Sequence, residues 1–126
     1  MLRPGDQVPH FEVHDLNGRI VRYSTVWQHR NLVLIVLPSH ESVAAQRYRD
    51  ALANAAAACG DRTTCVITRD AVAGVPAAGA LVADQWGEIV YVRSASEIAA
   101  LPSLPELVDW IAYLDQRCPE CEGEAR

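Results

Sequence analysis

The sequence predicts a single α/β domain in which helices flank a central mixed sheet. The apolar run 32–37 is rich in β-branched residues and has the length of a strand buried on both faces. It is followed by an alanine-rich helix, expected over 44–58 and ended by Gly60, and then by a second β-branched run at 63–68. A strand, a helix and a strand in this order imply a parallel pair joined by a right-handed crossover.

An antiparallel hairpin is expected ahead of that unit. The segment 10–15 alternates apolar and polar residues, and 19–23 is its return strand. Asn17 and Gly18 lie between them and predict a type I′ turn, which needs a positive φ at both positions. The fold is therefore predicted to begin with a two-stranded hairpin.

A second hairpin is expected in the other half of the chain. The segment 70–79 contains two glycines and a proline and has no clear period, so it is predicted to be a loop. Short strands follow at 80–83 and 88–93, joined by a turn at 84–87. They add an antiparallel pair to the same sheet.

The last helix is predicted to begin at Ser103. Ser103 and Glu106 form a capping box, and an apolar stripe follows at helical spacing. The helix is expected to end near Arg117. We therefore expect one domain over 1–117 and a short acidic tail over 118–126.

Composition and charge narrow the classes of function. The chain has 126 residues and half of them are apolar, which is enough for a core without disulfide or metal support. The formal net charge of −5 argues against nucleic acid and anionic membranes as partners. All 11 basic residues are arginine, which excludes chemistry that needs a lysine amine. Because no apolar run approaches membrane-spanning length and the N-terminus has no apolar signal core, we expect a soluble, cytoplasmic protein.

The order of these motifs resembles the peroxiredoxin branch of the thioredoxin fold, the alkyl hydroperoxide reductase and thiol-specific antioxidant family. The segments that carry the resemblance are GDQVPHF at 5–11, VHDLNG at 13–18, 21–24, 32–38 and ADQWGEI at 83–89. The first is similar to the family's G-D-x-A-P-x-F, and the last is similar to its I-D-x-x-G-x-I. The resemblance covers roughly residues 4 to 115 and implies a thioredoxin-like fold with thiol redox activity.

The family's catalytic motif, P-x-x-x-[TS]-x-x-C, falls on Pro38, Ser42 and Ala45. Alanine stands where the resemblance places the peroxidatic cysteine, so the usual peroxidase activity is not expected. A helix N-terminus stabilises a thiolate there, but alanine has no group to ionise. Ser39 and His40 complete the turn. A Ser42 nucleophile activated by His40 lacks an acid to orient the histidine, so a capping role for Ser42 or Ser39 is favoured.

A second part of the family's site is also altered. The family keeps an arginine near the thiolate, on the strand before the late hairpin, and residues 75–80 contain none. Thioredoxins place a cis-proline in that region. The bond between Val75 and Pro76 is the candidate, although it lies about two residues too far from Asp84.

The sharpest remaining motif is Cys118-Pro119-Glu120-Cys121 in the tail. C-x-x-C spacing suits a redox dithiol or a pair of zinc ligands. The helix C-terminus and the neighbouring glutamates raise the pKa of both thiols, so attack is slow at neutral pH while oxidation to a disulfide stays feasible. Cys118 and Cys121 are the candidate catalytic residues, with a protein thiol or disulfide as partner and no cofactor.

Two alternatives stay open. In the first, the chain is a non-catalytic binding or assembly module of the same fold. In the second, that module is stabilised by zinc, which usually takes four ligands. Cys118 and Cys121 supply two of them, so Cys59 and Cys65, histidines or a second subunit must supply the others. Trp110 lies off the apolar stripe of the last helix and indicates a partner surface or a homodimer.

Overall fold

A computed structural model describes residues 2–95 and 98–116, with residues 55 and 56 described by their backbone only. The elements in chain order are β1 (Glu12–His14), β2 (Ile20–Arg22), β3 (Asn31–Val36), α1 (Val43–Ala51), α2 (Ala55–Cys59), β4 (Thr63–Thr68), β5 (Gly79–Ala83), β6 (Ile89–Ser94) and α3 (Leu104–Gln116). Short 3-10 turns lie at Tyr23–Thr25 and Ile98–Ala100. Within the described ranges, every helix is too short or too polar to cross a membrane.

The main sheet has four strands in the order β4-β3-β5-β6. β3 and β4 are parallel, while β5 runs antiparallel to both of its neighbours, β3 and β6. Every residue of β3 is buried. Its side chains alternate between two cores: Val33 and Ile35 pack with α3, and Leu32 and Leu34 pack with residues of the N-terminal hairpin. The predicted central strand and parallel crossover are confirmed.

The first hairpin forms as predicted, but its turn is of another type. Gly18 has a positive φ of 82°, whereas Asn17 does not, so a type I′ turn is excluded. Beyond the strand ends, the backbone N–H of Asp15 donates to the carbonyl of Arg19, so the turn proper is the three residues 16–18. The Asp15 carboxylate accepts hydrogen bonds from the N–H groups of Asn17 and Arg19, each at 2.9 Å. The aspartate, and not an Asn-Gly pair, therefore sets this turn.

The second hairpin turn repeats the same construction. The Asp84 carboxylate accepts hydrogen bonds from the N–H groups of Trp86 and Glu88, each at 2.9 Å. Gly87 takes the left-handed conformation with a φ of 86°. Both segments that show the D-x-x-G pattern are thus turns of one kind, in which the aspartate replaces backbone acceptors and glycine supplies the positive φ.

The helix expected over 44–58 is divided in two. α1 ends at Ala51, and the N–H of the buried Leu52 bonds the carbonyls of both Tyr48 and Arg49. Such three-residue bonds tighten the last turn and end the α-helical ladder. Alanine favours a helical conformation along this segment but does not determine whether it forms one helix or two. The break between α1 and α2 lies at Leu52, whose side chain packs in the core.

α3 runs from one end of the sheet to the other. Near its start, the Tyr48 hydroxyl of α1 donates to the Pro102 carbonyl at 2.7 Å. The Ser103 hydroxyl accepts from the N–H of Glu106 at 3.3 Å, so the predicted cap is confirmed. Near its other end, Asp115 lies close enough to Cys59 of α2 to act on its thiol. The 13 residues of α3 span about 20 Å between these points.

Candidate functional site

The turn after β3 lies at the carboxyl end of the parallel pair, where open α/β sheets bind ligands. Ser42 is the N-cap of α1. Its backbone is extended (φ −151°, ψ 161°), and its hydroxyl accepts a hydrogen bond from the N–H of Ala45 at 3.0 Å. Ser42 therefore performs the capping role that the sequence favours. Ser39 and His40 are exposed, and Pro38 is half-buried.

Ala45 is buried beneath this cap, with 1% of its surface exposed. A methyl group therefore occupies the first turn of α1, where the helix dipole would stabilise a thiolate. The turn 38–45 keeps its proline, its hydroxyl and its helix N-terminus, and it carries no sulfur nucleophile. Peroxide reduction by this turn is consequently not expected.

Replacing Ser42 by alanine is expected to lower the free energy of unfolding by about 1 kcal/mol, because the N–H of Ala45 loses its acceptor. Urea unfolding followed by circular dichroism measures this change. Ser39→Ala is the matched control, since it removes a neighbouring exposed hydroxyl and should change the stability by less than about 0.5 kcal/mol. Equal effects of the two variants would contradict the cap.

An ion-pair cluster that the sequence did not indicate lies beside the turn. The Glu41 carboxylate accepts hydrogen bonds from Arg49 of α1 at 3.0 Å and from Arg69, which directly follows β4. The hydrogen bond from Arg69 is the main cause that holds the pKa of Glu41 below its ordinary value, and the neighbouring backbone N–H of Ser42 adds to the lowering. The sequence indicated this cluster only by an arginine near the end of α1 and another directly after β4.

A second ion pair flanks this cluster. Asp70 accepts hydrogen bonds from the backbone N–H of His14 at 2.6 Å and faces the His14 imidazole at 3.0 Å. Together with Arg49 and Arg69, these side chains line a cavity of about 140 Å³ that Asp15 and Leu16 complete. His10 is not part of this ion pair, and its ring packs against the rings of Tyr23 and Trp27.

The Asp70 contact predicts a pH dependence of stability. The bond from the His14 N–H is the main cause that lowers the pKa of Asp70 from its ordinary value of 3.8. A lowered carboxyl pKa contributes stability above the ordinary value, and this contribution is lost as the pH falls through the lowered one. We expect Asp70→Asn to flatten the loss of stability below about pH 4 in urea unfolding. Asp61→Asn, which removes the same charge without a bond to His14, gives the comparison curve; identical slopes would contradict the prediction.

Comparison with known proteins identifies the fold. No family model and no curated protein matches the sequence. Among solved structures, the reduced 2-Cys peroxiredoxin of Plasmodium vivax shares 11% identity over 91% of this chain and 83% of its own, with a TM-score of 0.74. A peroxiredoxin-like protein of Aquifex aeolicus shares 16% sequence identity over 90% of this chain and 88% of its own, with a TM-score of 0.66. The thioredoxin domain of a Bacteroides vulgatus thiol-disulfide oxidoreductase shares 14% sequence identity over 90% of this chain and 98% of its own, with a TM-score of 0.58. The chain has the thioredoxin fold.

The expectation of a cis bond at Pro76 of this thioredoxin fold is corrected. In the described part of the chain, the cis peptide bond joins Ala77 and Ala78 and not Val75 and Pro76. Pro76 belongs to the preceding loop, which a hydrogen bond between the Val75 N–H and the Val72 carbonyl closes. The cis bond lies directly before β5.

The cysteines of this thioredoxin fold fall into two groups. Cys118 and Cys121 lie outside the described residues. Cys59 is buried and Cys65 is half-buried, and their thiols hydrogen-bond each other. The hydrogen bond and burial raise the pKa of the Cys65 thiol, so it is a poor nucleophile. In residues 2–95 and 98–116, no three His, Cys, Asp or Glu side chains are arranged to hold a metal ion.

The partner surface expected at Trp110 stays a prediction. Within the chain, the Trp110 ring lies 5.2 Å from the Tyr91 ring and 5.8 Å from the Tyr113 ring, measured between centroids. About half of the Tyr113 side chain is exposed. Trp110 is thus packed against Tyr91 of β6.

Proposed function

We propose that this chain is a peroxiredoxin-like thiol-disulfide oxidoreductase that works through Cys118 and Cys121 and not through the turn 38–45. The observation that carries the proposal is the replacement of the turn's nucleophile by the buried methyl group of Ala45. Cys59 and Cys65 are poor candidates, since Cys59 is buried, Cys65 is half-buried and the two thiols hydrogen-bond each other. The C-x-x-C pair is the remaining dithiol of the chain.

The proposed reaction is thiol-disulfide exchange with a protein disulfide. The Cys118 thiolate attacks one sulfur of the partner's disulfide, and the other sulfur leaves as a thiolate. The Cys121 thiolate then attacks Cys118 in the mixed disulfide. The partner leaves with two thiols, and the chain keeps a Cys118–Cys121 disulfide that an external dithiol reduces again.

The position of α3 supports a reaction away from the turn. α3 starts beside α1 and ends at Gln116, beside α2, at the end of the sheet where β3 and β4 begin. The last described turn of α3 and the turn 38–45 thus lie at opposite ends of the sheet, which supports a reaction that does not use the turn.

Two assays on the purified full chain test this function. With dithiothreitol as reductant, the protein is expected to accelerate the reduction of insulin disulfides. With a hydroperoxide as substrate, it is expected to give no consumption above that of the reductant alone. Hydroperoxide turnover without disulfide reduction, or the absence of both activities, would contradict the proposal.

A non-catalytic binding module of the same fold is the second candidate. The observation that favours it is the convergence of Arg49, Arg69 and the Ser42 N–H beside the turn, since such donors bind anionic groups without any nucleophile. Inactivity in both assays together with saturable ligand binding would decide for this module. Its zinc-stabilised form requires close to one zinc per chain in protein purified without added metal, and less than about half excludes it.

A further inference from the structure

The donors around Glu41 lie on or next to regular elements, while Glu41 lies in the segment that connects two of them. Arg49 stands on α1, Arg69 follows β4, and the Ser42 N–H belongs to the capped start of α1. Glu41 lies in the irregular segment between β3 and α1, and about half of its side chain is exposed. A guanidinium fork and a backbone N–H are groups that bind carboxylates. α1 with its cap and the residue after β4 thus present donors to one half-exposed carboxylate.

The two arginines offer more donors than Glu41 uses. Glu41 accepts from Nη2 of Arg49 and from Nη2 of Arg69. The Nε atoms of both arginines are buried and have no hydrogen-bond partner among the described residues. A buried donor without an acceptor is unfavourable, so an additional acceptor at this place is stabilising. The cluster is therefore only partly satisfied by Glu41.

The adjoining cavity has the size of a small ligand. Its volume of about 140 Å³ equals roughly five water molecules in the liquid, which suits a carboxylic acid of a few carbon atoms. Two arginines and two aspartates line it together with one histidine and one leucine: Arg49, Arg69, Asp15, Asp70, His14 and Leu16. The two aspartates repel a dianion such as a phosphate ester, so the charges favour a monoanion.

We infer that Arg49, Arg69 and the Ser42 N–H form a binding site for the carboxylate of a small monoanion, and that Glu41 occupies this site in the free protein. A ligand carboxylate takes the place of the Glu41 carboxylate, and its remaining atoms fill the cavity. The site is independent of Cys118 and Cys121 and does not depend on the redox chemistry proposed for them.

Glu41→Ala is the variant that opens the site, and acetate and propionate are the probes. Titration is followed by NMR through the Nε–H signals of Arg49 and Arg69 and the amide signal of Ser42. We expect saturable chemical-shift changes in the variant. Binding to the wild type should be at least about tenfold weaker, because only molecules in which Glu41 has left the two arginines can bind the probe. Adding Arg69→Met to the variant should abolish the shifts.

Controls separate this site from other causes. Asp61→Ala removes the same charge at another exposed position and should bind acetate no better than the wild type. Thermal unfolding shows that each variant is folded. The inference is overturned if Glu41→Ala shows no saturable shifts, if Arg69→Met does not weaken them, or if inorganic phosphate binds as tightly as acetate.

Discussion

Replacing Cys118 by serine is expected to reduce the rate of insulin disulfide reduction by at least about 100-fold, to the level of the reductant alone. A serine hydroxyl is not ionised at neutral pH and does not attack a disulfide, so the mixed disulfide cannot form. The rate is measured with dithiothreitol in excess and with equal concentrations of folded protein.

Two matched variants test which residues carry out the disulfide reduction. Cys121→Ser keeps the attacking thiol but removes the resolving one, so it should accumulate a mixed disulfide with the partner that non-reducing electrophoresis detects. Ser42→Ala changes the turn and should keep the full rate per folded molecule. A wild-type rate in Cys118→Ser, or a lost rate in Ser42→Ala, would place the activity elsewhere.

Replacing Leu34 by alanine is expected to lower the free energy of unfolding by about 2–5 kcal/mol. Leu34 is fully buried in β3 and is paired with Val66 of β4 and Leu81 of β5, so the surrounding strands cannot close the space that its side chain leaves. Urea unfolding at neutral pH gives the value from the shift in midpoint at unchanged slope.

Ile20→Ala is the control, because it also shortens a branched aliphatic side chain to a methyl group. Ile20 lies in β2 with 52% of its surface exposed, and its truncation is expected to change the stability by about 0.5 kcal/mol or less. If both variants lose similar stability, the central position of β3 in the core is wrong.

The strands were predictable because their signal is local. An apolar run at 32–37 and a β-branched run at 63–68 match β3 and β4 to within one residue, since burial on one or both faces leaves its pattern in consecutive residues. The turn at Asn17 was less predictable. Its geometry depends on the carboxylate of Asp15, two residues before Asn17, which competes with the intrinsic preference of the Asn-Gly pair.

The candidate site was predictable only in part. Ser42 and Ala45 could be assigned because the cap and the missing thiol are matters of spacing along one helix. The cluster of Glu41, Arg49 and Arg69 could not, because Glu41 and Arg69 are 28 positions apart and meet only through the parallel register of β3 and β4. Charged side chains at strand ends follow no periodic pattern in the sequence, so an ion pair between two of them cannot be predicted from it.

The course of α3 bears on whether the protein can bind two ligands at the same time. α3 begins beside α1 and ends beside α2, and its 13 residues span about 20 Å. Over such a distance without shared contacts, two binding events add and neither competes with the other. If both proposals hold, a carboxylate bound by Arg49 and Arg69 would therefore not displace a protein partner bound beside the last turn of α3.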